Sequence, residues 1–422
     1  AAVIMWHKRG RRAMRAARKE DIGGGRRQPK LKAPVRCPYS ARDDFVIETA
    51  ADGIGPSPLQ LLEDWTDASG MPLSARWLAA GVSGQDAPRL KAGLTPLLDL
   101  KYFLLEDPNR LKEELLLKKK AFDDPQRRPL VCQAEPSSLA AQRECLDLFL
   151  DYLPRRYPEL YAVSGGAVTV KPVGETFRAQ DWAHAPLELC ARIVQEDLIL
   201  IREVPEGPEH DQATVSAEAA LKGVRGRNGN REEATPHKWS PNVRPHVMTA
   251  AAVVFSFAEL EQKLGQPIEF IHAPVPGYEQ YLRTTMNSSF TRLVAEKPVW
   301  RNNWGISPSG TLDEPLYGSE RAQHYRAFSE ATVVAMRTRW LKVEYQTLMR
   351  LPKSSCILFT VKTMADPLPS LEKVPEAASC LAASIRGMSP GLRAYKGIED
   401  DATCKAMLAY LDSLGHGAES AR

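Results

Sequence analysis

Apolar side chains at Cys145, Leu146, Phe149, Leu150 and Leu153 recur at i, i+1, i+4, i+5 and i+8, one face of a helix. They predict an amphipathic helix over 138–153, stopped before Pro154. Residues 96–122 (PLLDLKYFLLEDPNRLKEELLLKKKAF) predict a loop running into a Lys-rich helix. There Leu111, Leu115 and Leu116 share a face, and Lys112, Lys118, Lys119 and Lys120 decorate a solvated helix end. Further helices are expected over 279–296 (Leu282, Met286, Phe290 and Leu293 in one stripe), about 321–338, 376–387 and 400–414. A short amphipathic segment, PLQLLEDW, ends at Trp65, and Gly165-Gly166 marks a turn. The runs LILIRE (198–203), VMTAAAVVFS (247–256), PIEFIH (267–272) and CILFTV (356–361) are rich in β-branched or aromatic residues and read as strands. The polar, Gly/Pro-rich stretch 204–245 reads as a long loop or insertion. Strands at irregular spacing, with helices mostly at the two ends, predict an α+β fold built on an antiparallel sheet.

Composition narrows this little. The 422 residues are 43% hydrophobic and 26% charged, as in ordinary globular proteins, and no apolar run is long enough to span a membrane. Charge is uneven. Residues 1–34 hold eleven Lys/Arg against Glu20 and Asp21, a local +9 that leaves the body near −5 for a net +4. Such an arm points to disorder or targeting; no basic patch interleaved with aromatics continues it, which disfavours nucleic acid. The cysteines number seven and none is spaced C-x-x-C, against a zinc ribbon or a secreted disulfide framework. A soluble, intracellular protein is expected, cytoplasmic or in an organelle if the arm is a transit segment.

No P-loop, G-x-G-x-x-G after a strand, H-E-x-x-H or G-x-S-x-G elbow is present. Four segments carry candidate chemistry. In IHAPVPGYEQ (271–280), His272 precedes a stiff Pro274-Val275-Pro276. Read on a strand, it shares an apolar face with Ile268 and Phe270, where a neutral imidazole suits iron or zinc; the bland alternative is a hydrogen-bonded structural histidine. VWRNNWGI (299–306) puts Arg301, Asn302 and Asn303 between Trp300 and Trp304, either a carboxylate-binding arginine between flat apolar walls or a Trp-anchored loop. Glu344, Gln346, Thr347 and Arg350 precede the run at 356–361, dense polar groups that must pair if buried. In IVQEDLILI (193–201), Gln195, Glu196 and Asp197 interrupt an apolar run, as a site for a base or cation or as a helix end before a strand.

In order, GLTPLLDLKYFLLEDPNRLKEELLLKKKAF, YLPRRYPELY, VQEDLIL, the F-x-x-x-E-x-K-L-G…IHAPVP block, VWRNNWGI and EYQTLMRLPKSSCILFTVKT resemble the haem-dependent oxidative N-demethylase-like family. The resemblance covers about residues 90–400. It implies a PAS-like antiparallel sheet flanked by helices, a b-type haem, and oxidation of a small methylated amine (dimethylamine the type substrate) to the primary amine and formaldehyde. Dioxygen is the oxidant, and electrons come from NADPH through a separate flavin and iron–sulfur reductase. It makes His272 the expected iron ligand, with His237, His246 and His324 as rivals. Arg301 and Arg350 become expected propionate partners, and Asn303, Gln346 and Trp304 line the cofactor, Trp304 against the porphyrin or in an amine cage. Glu196 or Glu344 is expected to bind the protonated amine. One departure is Tyr345, where many relatives carry Arg. The other reading of the same resemblance is a haem or small-molecule sensor without turnover.

The expected layout is a disordered or targeting arm over 1–45, an extension over 46–90, one large domain over 91–400 with 204–245 inserted, and a C-terminal helix and tail over 401–422.

Overall fold

The computed structural model of the chain describes residues 35–36, 46–47, 92–227, 244–256, 259–313, 332–373, 375–398 and 400–416. Apart from 35–36, the basic arm lies outside the described residues, as do PLQLLEDW and most of the helix expected over 321–338.

In chain order the structure runs β1 (Val35–Arg36), β2 (Val46–Ile47), β3 (Thr95–Pro96), α1 (Leu111–Asp123), α2 (Arg128–Val131), β4 (Cys132–Ala134) and α3 (Leu139–Arg156). Then follow β5 (Tyr161–Ser164), β6 (Ala167–Val170), β7 (Glu175–Arg178), α4 (Pro186–Ile193), β8 (Asp197–Glu203), α5 (Pro208–Arg227) and β9 (His246–Ala252). Next come α6 (Leu260–Lys263), α7 (Ile268–His272), a π-turn (Tyr278–Leu282), α8 (Arg283–Arg292) and β10 (Val299–Ser307). The chain ends with α9 (Val333–Met336), β11 (Trp340–Arg350), β12 (Ile357–Pro367), α10 (Pro375–Gly387), α11 (Pro390–Tyr395) and α12 (Asp401–His416).

The fold is α+β, as expected. Its main sheet has seven strands in the order β3-β10-β11-β12-β8-β9-β4, each pair antiparallel. A three-stranded meander, β5-β6-β7, stands apart from it. Its first hairpin turns on Gly165 and Gly166, at φ +56° and +74°, the conformation that two-residue hairpins demand and glycine supplies.

The two faces of the main sheet carry different layers. On one, Trp300, Trp304, Val343, Tyr345 and Leu358 join Leu115 of α1, Phe149 of α3, Leu381 of α10 and Met407 of α12 in the larger core. On the other, Ile199, Ile201, Leu348 and Ile357 pack under Leu282, Met286, Phe290 and Leu293. Each such side chain, fully buried, contributes about 1.5–3 kcal/mol. This second apolar layer stops before the outer half of β10 and β11, where the same face turns polar.

Several local expectations give way. PIEFIH is a helix rather than a strand: only Pro267 keeps a bridge, to Val247, and Ile268–His272 wind into α7. Its apolar positions fit both periods, Ile268 with Ile271 a helical one and Ile268 with Phe270 an alternating one, and a proline costs nothing where a helix begins. The first half of the presumed loop 204–245 is α5; its Gly/Pro signals lie at the ends, leaving an unbroken run between. Pro154 sits inside the last turn of α3 instead of ending it. VWRNNWGI is strand β10 throughout. Lys118 is not solvated: it is 0% exposed, beneath the sheet.

Candidate functional site

The site grows from the register of β10 against β11. Arg301 stands opposite Gln346, and Asn303 opposite Glu344. Glu344 in turn faces Thr363 on β12. Side chains of directly opposed residues share a face, so these five form one polar patch beside the apolar layer. Trp300, Trp304 and Tyr345 alternate onto the other face and pack in the larger core. Trp304 therefore does not stand over the patch with Arg301. Tyr345 donates to the Tyr102 carbonyl at 2.7 Å, so the departure from arginine there changes the far face of the sheet.

Glu344 is held tightly on one side. Its Oε2 accepts from Asn303 Nδ2 at 3.0 Å and from Gln346 Nε2 at 2.8 Å. Asn303 is fixed by Lys396, a residue that no sequence motif singled out. Lys396 follows α11, and its carbonyl accepts from the Ile306 N–H at 2.7 Å along the outer edge of β10. Its ammonium donates to Asn303 Oδ1 and to the Trp304 carbonyl, the latter at 2.8 Å, and lies 5.5 Å from the Trp304 ring centre. Burial pushes this ammonium down to about 8, against the pull of Glu344. The signal missed was a lone lysine in an ordinary helix end, which only tertiary structure brings to the strand.

Arg301 has the opposite character. It makes no side-chain hydrogen bond among the described residues, and its Nε is buried without a partner. Burial holds its pKa below the ordinary value, opposed by the charge of Glu344. Gln346 Oε1 and Thr363 Oγ1 are likewise buried and unpartnered among the described residues. Orphaned polar groups cost about 1–3 kcal/mol each, so a concentration of them on one patch points to a ligand.

His272, at the C-terminal end of α7, feels the charge of Arg301. Its Nδ1 lies 2.7 Å from the Ile268 carbonyl; a carbonyl only accepts, so Nδ1 carries the hydrogen and Nε2 a bare lone pair. The Tyr278 ring lies against it, 5.4 Å between centres and 18° from parallel. Burial lowers the imidazole to about 4, with Arg301 adding to the effect. Prolines 274 and 276 follow directly. Among the described residues no group of three or more His, Cys, Asp or Glu side chains is arranged to hold a metal ion.

The remaining candidates lie elsewhere. Arg350 uses its guanidinium on backbone: Nε to the Leu293 carbonyl at 2.6 Å, Nη2 to that of Phe290 at 2.7 Å, Nη1 to that of Ser355 at 2.7 Å. It closes the end of α8 and has no fork left for a propionate. Glu196 lies across the sheet from the patch, in a buried network. Its Oε1 accepts from the Leu105 N–H at 2.6 Å, and burial raises its pKa. Lys118 donates to the Val194 carbonyl at 3.2 Å and to that of Glu196, and pairs with Asp197 at 3.4 Å. Lys362 and Gln195 both reach Glu114, at 2.9 and 2.6 Å. His246 also has Nδ1 bonded to a backbone carbonyl, that of Arg244 at 2.9 Å, and an Nε2 unpartnered among the described residues, but it is 0% exposed, edge-on to Phe290, whereas His272 is partly exposed. His237 and His324 lie outside the described residues.

The pattern of the family described as haem-dependent oxidative N-demethylase, alpha subunit-like, matches residues 101–223 and 234–403. These spans take in α7, β10, β11, β12 and Lys396, every element of the patch. Comparison with curated proteins gave no match. The chain, over more than half its length, belongs to the haem-dependent oxidative N-demethylase alpha-subunit-like family.

Proposed function

We propose that this protein is a haem monooxygenase that oxidatively N-demethylates a small methylated amine. The observation that carries the reading is His272: a neutral, partly exposed imidazole with Nδ1–H pinned to a backbone carbonyl and Nε2 bare, near enough to feel Arg301, whose Nε has no partner among the described residues. Histidines that bind metals donate their second N–H in this way, which fixes ring and tautomer. A single such ligand, with no cluster of further metal-binding side chains among the described residues, fits a haem, whose porphyrin would supply the other donors. The antiparallel sheet with helices on both faces agrees with a PAS-like scaffold.

A bound haem supplies activation of dioxygen; the chain supplies the rest. His272, on a segment braced by two prolines, would hold the haem iron through its bare Nε2. Glu344, fixed through Oε2 by Asn303 and Gln346, has no hydrogen bond to Oε1 among the described residues, which leaves that atom to accept an N–H of the amine. Its anchors make the acceptor pre-organised, so no reorientation is needed when substrate binds. In the net reaction one C–H of the N-methyl group becomes C–OH with one atom of dioxygen. The other atom leaves as water with two electrons and two protons from a reductase that draws on NADPH. The C–N bond then breaks to give formaldehyde and the demethylated amine.

The test is the absorption spectrum of the purified protein with and without dithionite. A Soret band is expected, altered by His272→Ala; a band and spin state unchanged by that substitution would rule out His272. Formaldehyde release from methylated amines, with a surrogate reductant and dioxygen, separates turnover from sensing, and its absence in fully loaded protein would overturn the enzyme reading.

A further inference from the structure

The charges around Glu344 do not balance for a plain amine. Arg301 and Lys396 are both cations on one half-buried patch, and Glu344 is the anion that both of them feel. The sum is +1 before anything binds. A protonated dimethylamine would add a second uncompensated charge in a poorly solvated place, which is costly. It would also leave Arg301 without a partner. Arg301 and Glu344 are diagonal neighbours across the β10–β11 ladder, within reach for long side chains, yet they form no ion pair. Glu344 is turned aside by two amides, one of them clamped by Lys396. A cationic head and an anionic head are thus held apart on one face, with Gln346 Oε1 and Thr363 Oγ1 unpartnered beside them.

We infer that the substrate carries a carboxylate as well as an amine: it is an N-methylated α-amino acid, bound as the zwitterion between Arg301 and Glu344. Its ammonium donates one N–H to Glu344 Oε1 and the other to Gln346 Oε1. Its carboxylate accepts from Arg301, with the Thr363 hydroxyl as a further donor. Every orphaned atom of the patch then has a partner of the right kind, and the net charge stays where it was. Lys396 is the positioning residue: it faces Asn303 and, through it, sets the angle of Glu344. N-methylglycine follows the same balance as any methylated amine and yields glycine and formaldehyde. The inference rests on the reading of this face as the substrate side, and it assigns Arg301 to substrate rather than to a haem propionate.

Calorimetric titration of the full, haem-loaded chain with N-methylglycine, dimethylamine and acetate tests it. N-methylglycine is expected to bind at least tenfold more tightly than dimethylamine. Arg301→Leu should abolish that advantage while haem content and the Soret band stay as in the parent. Glu344→Gln should weaken N-methylglycine and leave acetate unchanged. Lys396→Met should raise KM for N-methylglycine with little change in kcat, and Lys396→Arg should restore it. Equal or tighter binding of dimethylamine would overturn the inference, and so would loss of haem from Arg301→Leu, which would make that arginine a propionate partner. If Arg301→Leu does not fold, Arg301→Lys and Glu344→Gln carry the same comparison. Failure to bind haem at all would overturn the proposed function instead; titration of the haem-free chain would still show whether the Arg301–Glu344 pair selects a zwitterion.

Discussion

The Nδ1 atom of His272 lies 2.7 Å from the carbonyl oxygen of Ile268, one turn earlier in the same five-residue helix. That contact sets the tautomer, and burial lowers the imidazole to about 4. The haem-free protein should therefore show His272 as the Nδ1–H form at pH 7, with no imidazolium until the pH approaches 4. Nitrogen-15 NMR of labelled histidine reads this directly. An Nε2–H signal, or titration near the ordinary 6.5, would contradict it.

Arg350 and Arg301 both belong to the β10–β11 segment and should behave oppositely. Arg350→Ala removes three bonds to the carbonyls of Phe290, Leu293 and Ser355. Bonds from charged donors contribute about 1.5–3 kcal/mol each and are not additive, so a loss of ~2–4 kcal/mol is expected. Arg350→Lys should recover only part, since an ammonium cannot span three acceptors in a plane. Arg301→Leu removes a half-buried guanidinium whose Nε has no partner among the described residues, and stability should hold or rise. Urea midpoints of the variants decide; equal losses at both positions would mean that Arg301 is structural.

These contrasts mark what the sequence could show. Strands β8 and β12 were legible because their apolar runs are long and bounded. The candidate set around Glu344 was legible as dense polar groups entering a buried strand. Which face each residue took was not. Trp304 and Arg301 are three apart in a segment open to a loop reading; only once β10 is a strand do they fall on opposite faces. His272 was found for a partly mistaken reason, as the end of a strand, because a short run with apolar residues at 268, 270 and 271 fits both periods. Lys396 was invisible because its partners Asn303 and Trp304 lie more than ninety positions away.

Lys118 and Glu196 were expected at a solvated helix end and at a substrate site, and the structure puts both under the opposite face of the sheet. Lys118→Met should cost about 3–5 kcal/mol, because it strips a buried Asp197 and two carbonyls of their cation. Glu196→Gln should be mild, within ~1 kcal/mol. Burial already raises the Glu196 pKa, and an amide oxygen can still accept from the Leu105 N–H. Amine binding should be untouched by Glu196→Gln and weakened by Glu344→Gln. Paired urea melts and titrations separate the two carboxyls, and a binding loss in the Glu196 variant would move the substrate site across the sheet.

His246 gives the fold a pH dependence of its own. Burial lowers it to about 4, with the Arg350 charge acting in the same sense and Glu203, 3.9 Å from its Nε2, acting against. The unfolded chain takes up the proton near 6.5, the folded chain near 4. Between those values the unfolded state binds more protons, so stability is full above pH 6.5 and falls as the pH drops toward 4. The difference between the two states corresponds to ~3 kcal/mol at the lower limit. His272 adds a similar slope, so the comparison must be with a variant. His246→Asn keeps a donor for the Arg244 carbonyl and has no proton to gain. In urea melts of the haem-free protein from pH 7 to pH 4.5, the parent should lose stability more steeply than His246→Asn. Parallel curves would mean that the folded state accommodates the imidazolium, with Glu203 as its counter-ion.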